Sequence, residues 1–462
     1  MKKFDIIVIG SGGGAKITSP AASIGLKVAV IERDKLGGTC LNRGCIPSKM
    51  LIHPADVAIT IKEAHRFDII HNPQFDVNFT KLIDRISATV DADSAKIENS
   101  YNKHPNIDYH HGTAKFMDNY TVEVNDEELT AEKIFIAIGT RPSIPNIPGL
   151  KGTPYMTSTE ALRNTKLPSS MIIIGGGYIA CELGHAFGAL GTTTHFLVRS
   201  SFLRIEDGEI AAEFNKTFSK HHDVHLGSVP SKVEYVNHTF TVFYLQNGFE
   251  HKISAEALLI ATGITPNTDT LDLINTDIEL APGNFIRTND HLETNIKGIY
   301  ALGDCNGRYF FRHSVNFEGE YLFDQIFNNK PRAPIVYPPV PHAVFTDPQV
   351  AGVGMTEEQL IKGNVPYVIG LNHYKNSAMG MALLSESGFC KILFCKKSKK
   401  ILGAHIIGAE ASNMIHMLIA MMNMNGTLDD LLRMIYIHPA LPEIVRNAAR
   451  KAKSAFDNNL IR

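Results

Sequence analysis

A strand, a glycine-rich turn and a helix start occur twice in this chain, and the repeat constrains its fold more than any other feature. The first copy, residues 6–15, reads IIVIGSGGGA, and the second, residues 172–180, reads IIIGGGYIA. In both copies an apolar run leads into the pattern GxGxxA. Each copy is closed by a similar strand and turn, IAIGTRP at 136–142 and IATGITP at 260–266. The duplication predicts two nucleotide-binding α/β domains.

The glycines of these turns permit a tight bend and a close backbone approach, so that a pyrophosphate can lie at the helix N-terminus. In the first copy the next strand ends at Glu32, whose carboxylate can accept hydrogen bonds from ribose hydroxyls. The residues predicted to hold the first nucleotide are Gly10, Gly12, Ala15, Glu32 and Gly139. Those predicted to hold the second are Gly175, Gly177, Ala180 and Gly263.

The second copy has no acid at the end of the corresponding strand. Val198 is followed there by Arg199, and Arg204 comes shortly after. Loss of the carboxylate and gain of a guanidinium suit a 2′-phosphate, so the pattern favours NADPH over NADH. The alternative is that these arginines are solvated side chains at a strand end.

Two cysteines, Cys40 and Cys45, lie in the string GGTCLNRGCIPSK. A disulfide that closes so short a loop adds only about 2 kcal/mol through chain entropy, which favours a redox role over a structural one. Pro47 suits the first turn of a helix, so Cys45 is expected near a helix N-terminus, where the dipole and nearby cations such as Lys49 favour a thiolate. The alternative is two reduced, buried cysteines.

Composition and charge exclude several classes of protein. With a formal net charge of -2 and 44% hydrophobic residues, the chain offers no electrostatic case for binding nucleic acid or a membrane surface. The N-terminus leads straight into a predicted strand, so we expect no secretory signal peptide. Apolar runs such as Met414–Met424 are too short to span a membrane. Six cysteines are too sparse for a disulfide scaffold, so we expect a cytoplasmic protein.

The histidines of residues 221–225 lack a convincing ligand arrangement, so no metal site is predicted and they are expected at the surface.

Together with two further motifs, these features resemble the FAD-dependent pyridine nucleotide-disulfide oxidoreductases, a family that includes dihydrolipoamide dehydrogenase, glutathione reductase, mercuric reductase and mycothione reductase. The further motifs are ALGD at 301–304 and HPALPE at 438–443. The resemblance runs nearly end to end. It implies that FAD binds the first nucleotide domain and NAD(P)H the second.

The resemblance also assigns roles to the site residues. Cys45 would be the flavin-facing charge-transfer sulfur, and Cys40 the sulfur that attacks the substrate. Lys49, paired with Glu182, would lie beside the flavin, and Asp304 would bind its ribityl chain. From the residues alone, Glu182 reads equally well as a carboxylate on a helix surface.

His438 and Glu443 match the general acid–base pair of the family. The resemblance implies a homodimer in which this pair reaches the cysteines of the opposite subunit. Thiol exchange needs a group that holds and returns protons near neutral pH, and imidazole does so with a carboxylate fixing its tautomer.

The predicted fold class is α/β, with two Rossmann-like domains for FAD and NAD(P), each with a β-meander, and a C-terminal α+β dimerisation domain. The predicted boundaries are 1–149 for the FAD domain with the redox disulfide, 150–269 for the NAD(P) domain, 270–337 for a central segment that completes the FAD site, and 338–462 for the interface domain.

The leading expectation for activity is a dihydrolipoyl dehydrogenase type of enzyme, acting on a dithiol or disulfide substrate. The first alternative is an NADPH-dependent reductase of a low-molecular-weight disulfide, like mycothione reductase, and Val198 favours it because dihydrolipoyl dehydrogenases usually carry an acid there. The second is a non-catalytic FAD-binding scaffold. Mercuric reductase is disfavoured because residues 458–462 contain no cysteine pair, and soluble transhydrogenase because it would not need the cysteines.

Overall fold

The computed structural model describes residues 1–70, 72, 74–328 and 331–458, so most of the C-terminal segment considered above, residues 459–462, lies outside the described residues. The chain divides into two compact units. The first consists of Met1–Met50, Lys81–Ser143 and Gly263–Val336. The second consists of Leu51–Thr80, Ile144–Thr262 and Tyr337 onward.

The strands are numbered in chain order. They are β1 Lys2–Lys3, β2 Ile6–Ile9, β3 Val28–Glu32, β4 Ile107–His111, β5 Lys115–Phe116, β6 Thr121–Val124, β7 Glu127–Thr130, β8 Ile134–Ile136, β9 Thr140–Pro142, β10 Ser170–Ile174, β11 Thr193–Val198, β12 Asp223–Leu226, β13 Val229–Val236, β14 Thr239–Gln246, β15 Phe249–Ala255, β16 Ala257–Ile260, β17 Ile264–Pro266, β18 Leu280–Ala281, β19 Phe285–Ile286, β20 Ile299–Ala301, β21 Pro341–Val344, β22 Val350–Gly354, β23 Tyr367–His373, β24 Phe389–Cys395 and β25 Ile401–Ile407.

The α-helices are α1 Ala15–Ser23, α2 Gly38–Arg43, α3 Cys45–Glu63, α4 Phe79–Lys103, α5 Ser158–Ala161, α6 Tyr178–Leu190, α7 Gly208–Phe218, α8 Arg312–Phe327, α9 Glu357–Lys362, α10 Ala378–Ala382, α11 Ala411–Asn423, α12 Leu428–Arg433 and α13 Glu443–Asp457. Short 3₁₀ turns occur at Ala64–Phe67, Asn267–Thr270, Leu273–Asn275, Gly303–Asn306 and Tyr374–Asn376. None of the helices in the described part of the chain is both long and apolar enough to cross a membrane.

The first unit contains a parallel sheet in the order β20-β8-β2-β3-β4. Every residue of β2 is buried, as expected of a strand covered on both faces. The edge strand β20 comes from far along the chain and aligns Ile299 with Ile134 of β8. A second sheet, in the order β1-β7-β6-β5, contains the β-meander predicted for the first nucleotide domain.

The closing turns of the two sequence copies meet in the first unit. Strands β9 and β17 form an antiparallel ribbon in which Thr140 pairs with Pro266. The Arg141 guanidinium donates to both carboxylate oxygens of Asp269 at 2.8 Å and to the Pro266 carbonyl at 3.2 Å. Two segments that are equivalent in sequence therefore pair with each other in space.

The second unit contains the other copy, a parallel sheet in the order β12-β11-β10-β16, and the antiparallel meander β13-β14-β15. This meander is the one predicted for the second nucleotide domain. Helix α6, which begins just after the glycine turn, is buried along most of its length. Its apolar residues are therefore core residues on nearly every face.

The C-terminal part of the second unit is an antiparallel sheet in the order β21-β22-β25-β24-β23, covered by helices α11 and α13. Gly370 of β23 permits close packing of α13, because a Cβ there would lie 2.3 Å from the Ala448 carbonyl oxygen. Met414 and Met421 of α11 are buried in the core, whereas Met424 is exposed. The parallel sheets, meanders and C-terminal α+β part confirm the predicted fold class.

A buried lysine links α7 to this C-terminal sheet. Lys391 on β24 has a side chain that is 1% exposed, and its ammonium contacts Asp207 at 2.8 Å and Glu357 at 2.6 Å. A third carboxylate, that of Glu209, lies at 2.8 Å. Burial works to lower the pKa of Lys391, but the hydrogen bonds that its ammonium donates to these carboxylates raise the pKa above its ordinary value. The lysine is therefore charged and balances the two acids buried beside it.

Replacing Lys391 with Met should destabilise the second unit. Asp207 and Glu357 would stay buried without a cation, a change that typically costs about 3–5 kcal/mol. We expect a clear fall in the urea midpoint followed by circular dichroism. The matched control is Lys232→Met, which removes an exposed lysine paired with Glu234 at 2.6 Å and should change stability by at most about 1 kcal/mol. Equal midpoints for the two variants would contradict the assignment.

Candidate active site

The glycine turn of the first unit is built by a close backbone contact. Gly10 has a φ of 99°, and a Cβ there would lie 2.4 Å from the carbonyl oxygen of Ala137, so only glycine fits. Helix α1 begins at Ala15 directly after the turn. A Cβ on Gly12 would lie 3.5 Å from the Cα of Gly38, so this turn also packs against the start of α2.

Glu32 lies at the end of β3, where the sequence placed it for ribose recognition. Its carboxylate accepts hydrogen bonds from the Ser11 amide at 3.0 Å and the Ser11 hydroxyl at 2.8 Å. The Ser11 hydroxyl in turn accepts from the Gly37 amide at 2.9 Å. Sequence reasoning missed Ser11, although its place inside the GxGxxA turn was a usable signal. Ser11 joins the turn, the acid and the start of the cysteine segment.

The glycine turn of the second unit has the same close contact between a glycine and a carbonyl oxygen. Gly175 has a φ of 139°, and a Cβ there would lie 2.2 Å from the carbonyl oxygen of Ala261. Ala180 is fully buried beneath the turn. At Gly177 no atom lies within 4 Å of the position that a Cβ would occupy, so the backbone just before α6 faces open space. These features fit a pyrophosphate approaching the helix N-terminus.

Two predicted arginines follow β11 in the second unit. Arg199 and Arg204 are both exposed. The Leu203 amide donates to the Gly176 carbonyl at 2.9 Å, which holds the segment after β11 against the glycine turn. The arginines therefore lie on a segment fixed to the predicted nucleotide site. Gly263, which the sequence predicted to bind the second nucleotide, lies in the first unit. No atom lies within 4 Å of the position that a Cβ on Gly263 would occupy.

The two cysteines of the string lie on adjoining helices of the first unit. Cys40 is on α2 and is half-buried, while Cys45 is exposed and is the first residue of α3, as predicted. Both are thiols in this structure. The hydrogen bond to Cys45, burial and the charge of Cys45 raise the pKa of Cys40, and the charge of Arg312 partly opposes them. Cys40 therefore keeps its proton when Cys45 is ionised, so the two sulfurs do not ionise together.

Asp304 lies just beyond β20 in the 3₁₀ turn of the first unit. Burial raises its pKa, while a hydrogen bond from the Thr140 hydroxyl at 2.8 Å works in the opposite direction. Gly139, just before Thr140, has a φ of 62° and no atom within 4 Å of a built Cβ. A buried carboxyl beside this open backbone suits the polar ribityl chain that the resemblance assigned to it. Thr140 was not singled out from the sequence.

Glu182 is a buried residue of α6, 8% exposed, and its carboxylate accepts a hydrogen bond from the Phe345 amide at 3.1 Å. The alternative of a carboxylate on a helix surface is therefore wrong. The helix is buried on nearly every face, which a period-3.6 pattern in the sequence does not reveal. The predicted pairing of Glu182 with Lys49 stays a prediction.

His438 and Glu443 form a contacting pair in the second unit. The Nδ1 atom of His438 lies 3.0 Å from Glu443 Oε2, and Arg446 donates to Glu443 Oε1 at 2.6 Å. Burial opposes ionisation of Glu443, but hydrogen bonds from His438, the Ala440 amide and Arg446 lower its pKa. The His438 side chain is 70% exposed, so a ring oriented through Nδ1 presents Nε2 for proton transfer. Arg446, one turn along α13, was missed by sequence reasoning.

The histidine cluster at 221–225 is only partly on the surface. His221 is exposed, but the His222 ring packs on Phe218 with centroids 4.2 Å apart, and burial lowers its pKa to about 3. The expectation of a surface cluster is wrong for His222, because the aromatic core beneath it is assembled from several elements. Among the described residues, no group of three or more His, Cys, Asp or Glu side chains is arranged to hold a metal ion.

Comparison with known proteins agrees with this geometry over nearly the whole chain. Residues 4–319 match the family model for pyridine nucleotide-disulphide oxidoreductases, and residues 340–449 match the dimerisation domain of the same enzymes. The chain belongs to the pyridine nucleotide-disulphide oxidoreductase family. Its cofactors are FAD and NAD(P)H, as predicted, and the dimerisation domain indicates a homodimer.

Several relatives cover almost the full length. Mycothione reductase of Mycobacterium tuberculosis is 34% identical, over 97% of this chain and 99% of that protein. Dihydrolipoyl dehydrogenase 2, mitochondrial, of Arabidopsis thaliana is 30% identical, over 96% of this chain and 89% of that protein. The solved structure of the HOCl-induced flavoprotein disulfide reductase RclA from Escherichia coli has a TM-score of 0.86 at 27% identity, covering 98% of this chain and 99% of that chain.

Two glycines of the second turn should respond differently to substitution. Gly175→Ala forces a Cβ onto the Ala261 carbonyl at a positive φ, so the expected result is lower thermal stability and poor folding. Gly177→Ala has room for its Cβ in the free protein, so stability should hold while the KM for NAD(P)H rises, because the methyl group occupies the space for the pyrophosphate. Thermal melts and steady-state kinetics separate the two outcomes. An unchanged KM for Gly177→Ala would argue against this turn as the nucleotide site.

Glu443→Gln should lower kcat for disulfide reduction by roughly a hundredfold, because the His438 imidazolium loses its counter-charge and its fixed tautomer. The lowered pKa of Glu443 keeps it ionised throughout the neutral range, so the loss should persist from pH 6 to pH 8. The control is Asp457→Asn, which removes an exposed carboxylate at the other end of α13. Similar kcat values for the two variants would show that the pair plays no part in turnover.

Proposed function

We propose that the protein is an NADPH-dependent reductase of a low-molecular-weight disulfide. The balanced reaction is RSSR + NADPH + H⁺ → 2 RSH + NADP⁺. The observation that carries the choice is the end of β11 and the segment after it. Val198 stands there in place of an acid, and two exposed arginines, Arg199 and Arg204, lie on a loop held to the glycine turn. Guanidinium groups placed beside a nucleotide-binding turn in this way suit a 2′-phosphate.

The Cys40–Cys45 pair would be the redox-active group. When bound, FAD supplies two-electron transfer between NADPH and this disulfide. In the reduced pair Cys40 keeps its proton, because its hydrogen bond to Cys45 and its burial raise its pKa. Attack of Cys40 on a substrate disulfide therefore needs a base that removes this proton and later returns one to the leaving thiol.

His438 is the residue we propose for that base. Its Nδ1 is held by Glu443, and its exposed ring offers Nε2 to a group outside its own subunit. In the homodimer, His438 of the partner subunit would take the proton from Cys40 and protonate the first thiol released. The second thiol would leave when Cys45 attacks the mixed disulfide on Cys40 and re-forms the internal disulfide.

Dihydrolipoyl dehydrogenase activity is the second candidate. Relatives of that name are 30–32% identical over nearly the whole chain. It would use the same cysteines in the opposite direction, with NAD⁺ as the acceptor and a dihydrolipoyl group as the donor. A non-catalytic scaffold is a weaker reading, because Cys40, Cys45, His438 and Glu443 are all present and the last two are in contact.

The nucleotide preference tests the first part of the proposal. The wild-type enzyme should show a higher kcat/KM with NADPH than with NADH. The double variant Arg199→Gln, Arg204→Gln should lose roughly ten- to a hundredfold in kcat/KM for NADPH and little for NADH, because only NADPH carries the 2′-phosphate. Lys252→Gln, which removes an exposed cation on β15 of the same unit, is the control. A strong NADH preference in the wild type would overturn the proposal.

A substrate panel tests the second part. Mycothione disulfide, oxidised glutathione, cystine and lipoamide would be assayed with each nucleotide, with Cys40→Ser as the inactive reference. Turnover of a small disulfide with NADPH supports the reductase. Preferential oxidation of dihydrolipoamide with NAD⁺ would instead favour the dihydrolipoyl dehydrogenase. Wild-type rates no higher than those of Cys40→Ser on every substrate would favour the scaffold.

A further inference from the structure

Helix α8 packs its first turns directly onto the glycine turn of the first unit. The Val315 side chain fills the space beside Gly13, where a Cβ would lie 2.3 Å from Val315 Cγ2, and beside Gly303, where the distance would be 2.8 Å. Further along α8, Gly319 lets Lys16 of α1 approach, since a Cβ there would lie 2.5 Å from the Lys16 Cβ. These contacts fix the start of α8 against the start of α1.

Arg312, the first residue of α8, is thereby brought to the turn itself. Its Nη1 atom lies 3.9 Å from the position of a Cβ on Gly12. Gly12 is the second glycine of the GxGxxA pattern, the one whose missing side chain lets the backbone approach a pyrophosphate. The guanidinium of a residue 300 positions away in sequence thus faces the place where the first copy is expected to receive a phosphate group.

The charges around Arg312 favour an anion. Within the described ranges, no carboxylate lies within 4.0 Å of the guanidinium and no side chain or backbone group hydrogen-bonds to it, although the residue is half-buried. Lys16, the cation on the same α1–α8 contact, is instead paired with Glu320 at 2.7 Å. The amide groups at the start of α1 add positive potential on the same side of the turn. A guanidinium placed in this way suits bidentate binding of phosphate oxygens.

We infer that Arg312 is a cofactor-binding residue that contacts the pyrophosphate of FAD from the start of α8. The inference goes beyond the proposed function, since it concerns the flavin site and holds whichever disulfide the enzyme reduces. It adds a cation at the glycine turn, where the sequence predicted only glycines, Ala15 and Glu32. The position of Arg312 depends on the packing of Val315, which fixes the start of α8 against the glycine turn.

Flavin binding to the apoprotein tests the inference without turnover. FAD and riboflavin, which lacks the phosphates, would be titrated into wild type, Arg312→Gln, Arg312→Lys and Lys16→Gln, with flavin fluorescence as the readout at low and high ionic strength. Arg312→Gln should bind FAD about ten- to a hundredfold more weakly, with a smaller salt dependence, and should bind riboflavin like the wild type. Lys16→Gln should match the wild type with both flavins. Arg312→Lys should lie between the wild type and Arg312→Gln, and it provides the test if the glutamine variant does not fold.

Two results would overturn the inference. If Arg312→Gln binds FAD with wild-type affinity, the guanidinium does not contact the cofactor. If it weakens FAD and riboflavin equally, Arg312 acts through the packing of α8. A wild-type protein that retains FAD but reduces no disulfide would count against the proposed function alone, because the affinity comparison stands without turnover.

Discussion

Both glycine turns depend on one steric constraint, the close approach of a glycine to the carbonyl oxygen of an alanine that follows a neighbouring strand. Gly10 faces Ala137 and Gly175 faces Ala261 in the same way, each with a positive φ and no room for a Cβ. The contact turns the chain sharply after the central strand, so the next helix starts at the carboxyl edge of the sheet. In such a fold a bound pyrophosphate lies at the N-terminus of the helix that follows the turn.

Around the two turns, the copies have diverged in what surrounds the nucleotide. The first keeps an acid, Glu32, held by Ser11 inside the turn, whereas the second has exposed arginines on a loop held by Gly176. The same glycine turn therefore has an acid beside it in one copy and arginines beside it in the other. The first unit also draws on distant segments, since β20, Asp304 and α8 all come from beyond residue 290.

The proposed chemistry at the sulfurs depends on the proton that Cys40 holds. Cys40 and Cys45 lie close enough to share a hydrogen bond, and this bond raises the pKa of Cys40. Attack by Cys40 on a substrate disulfide would therefore need a separate base. His438 and Glu443 have the geometry of such a base, with the carboxylate fixed from its other side by Arg446.

The sequence by itself determined the duplicated strand–turn–helix units, the helix start at Cys45, the acid at the end of β3 and its absence after β11, because each is a local pattern of residue types and spacing. Only the tertiary structure decided that Glu182 is buried, that the closing turns of the two copies pair as β9 and β17, that Thr140 bonds Asp304 and that Arg312 faces Gly12. These features join residues more than 100 positions apart, except for the burial of Glu182, which depends on elements packed over α6. Local spacing carries no information about such contacts, because they are set by which sheet edges and helix starts the packed core brings together.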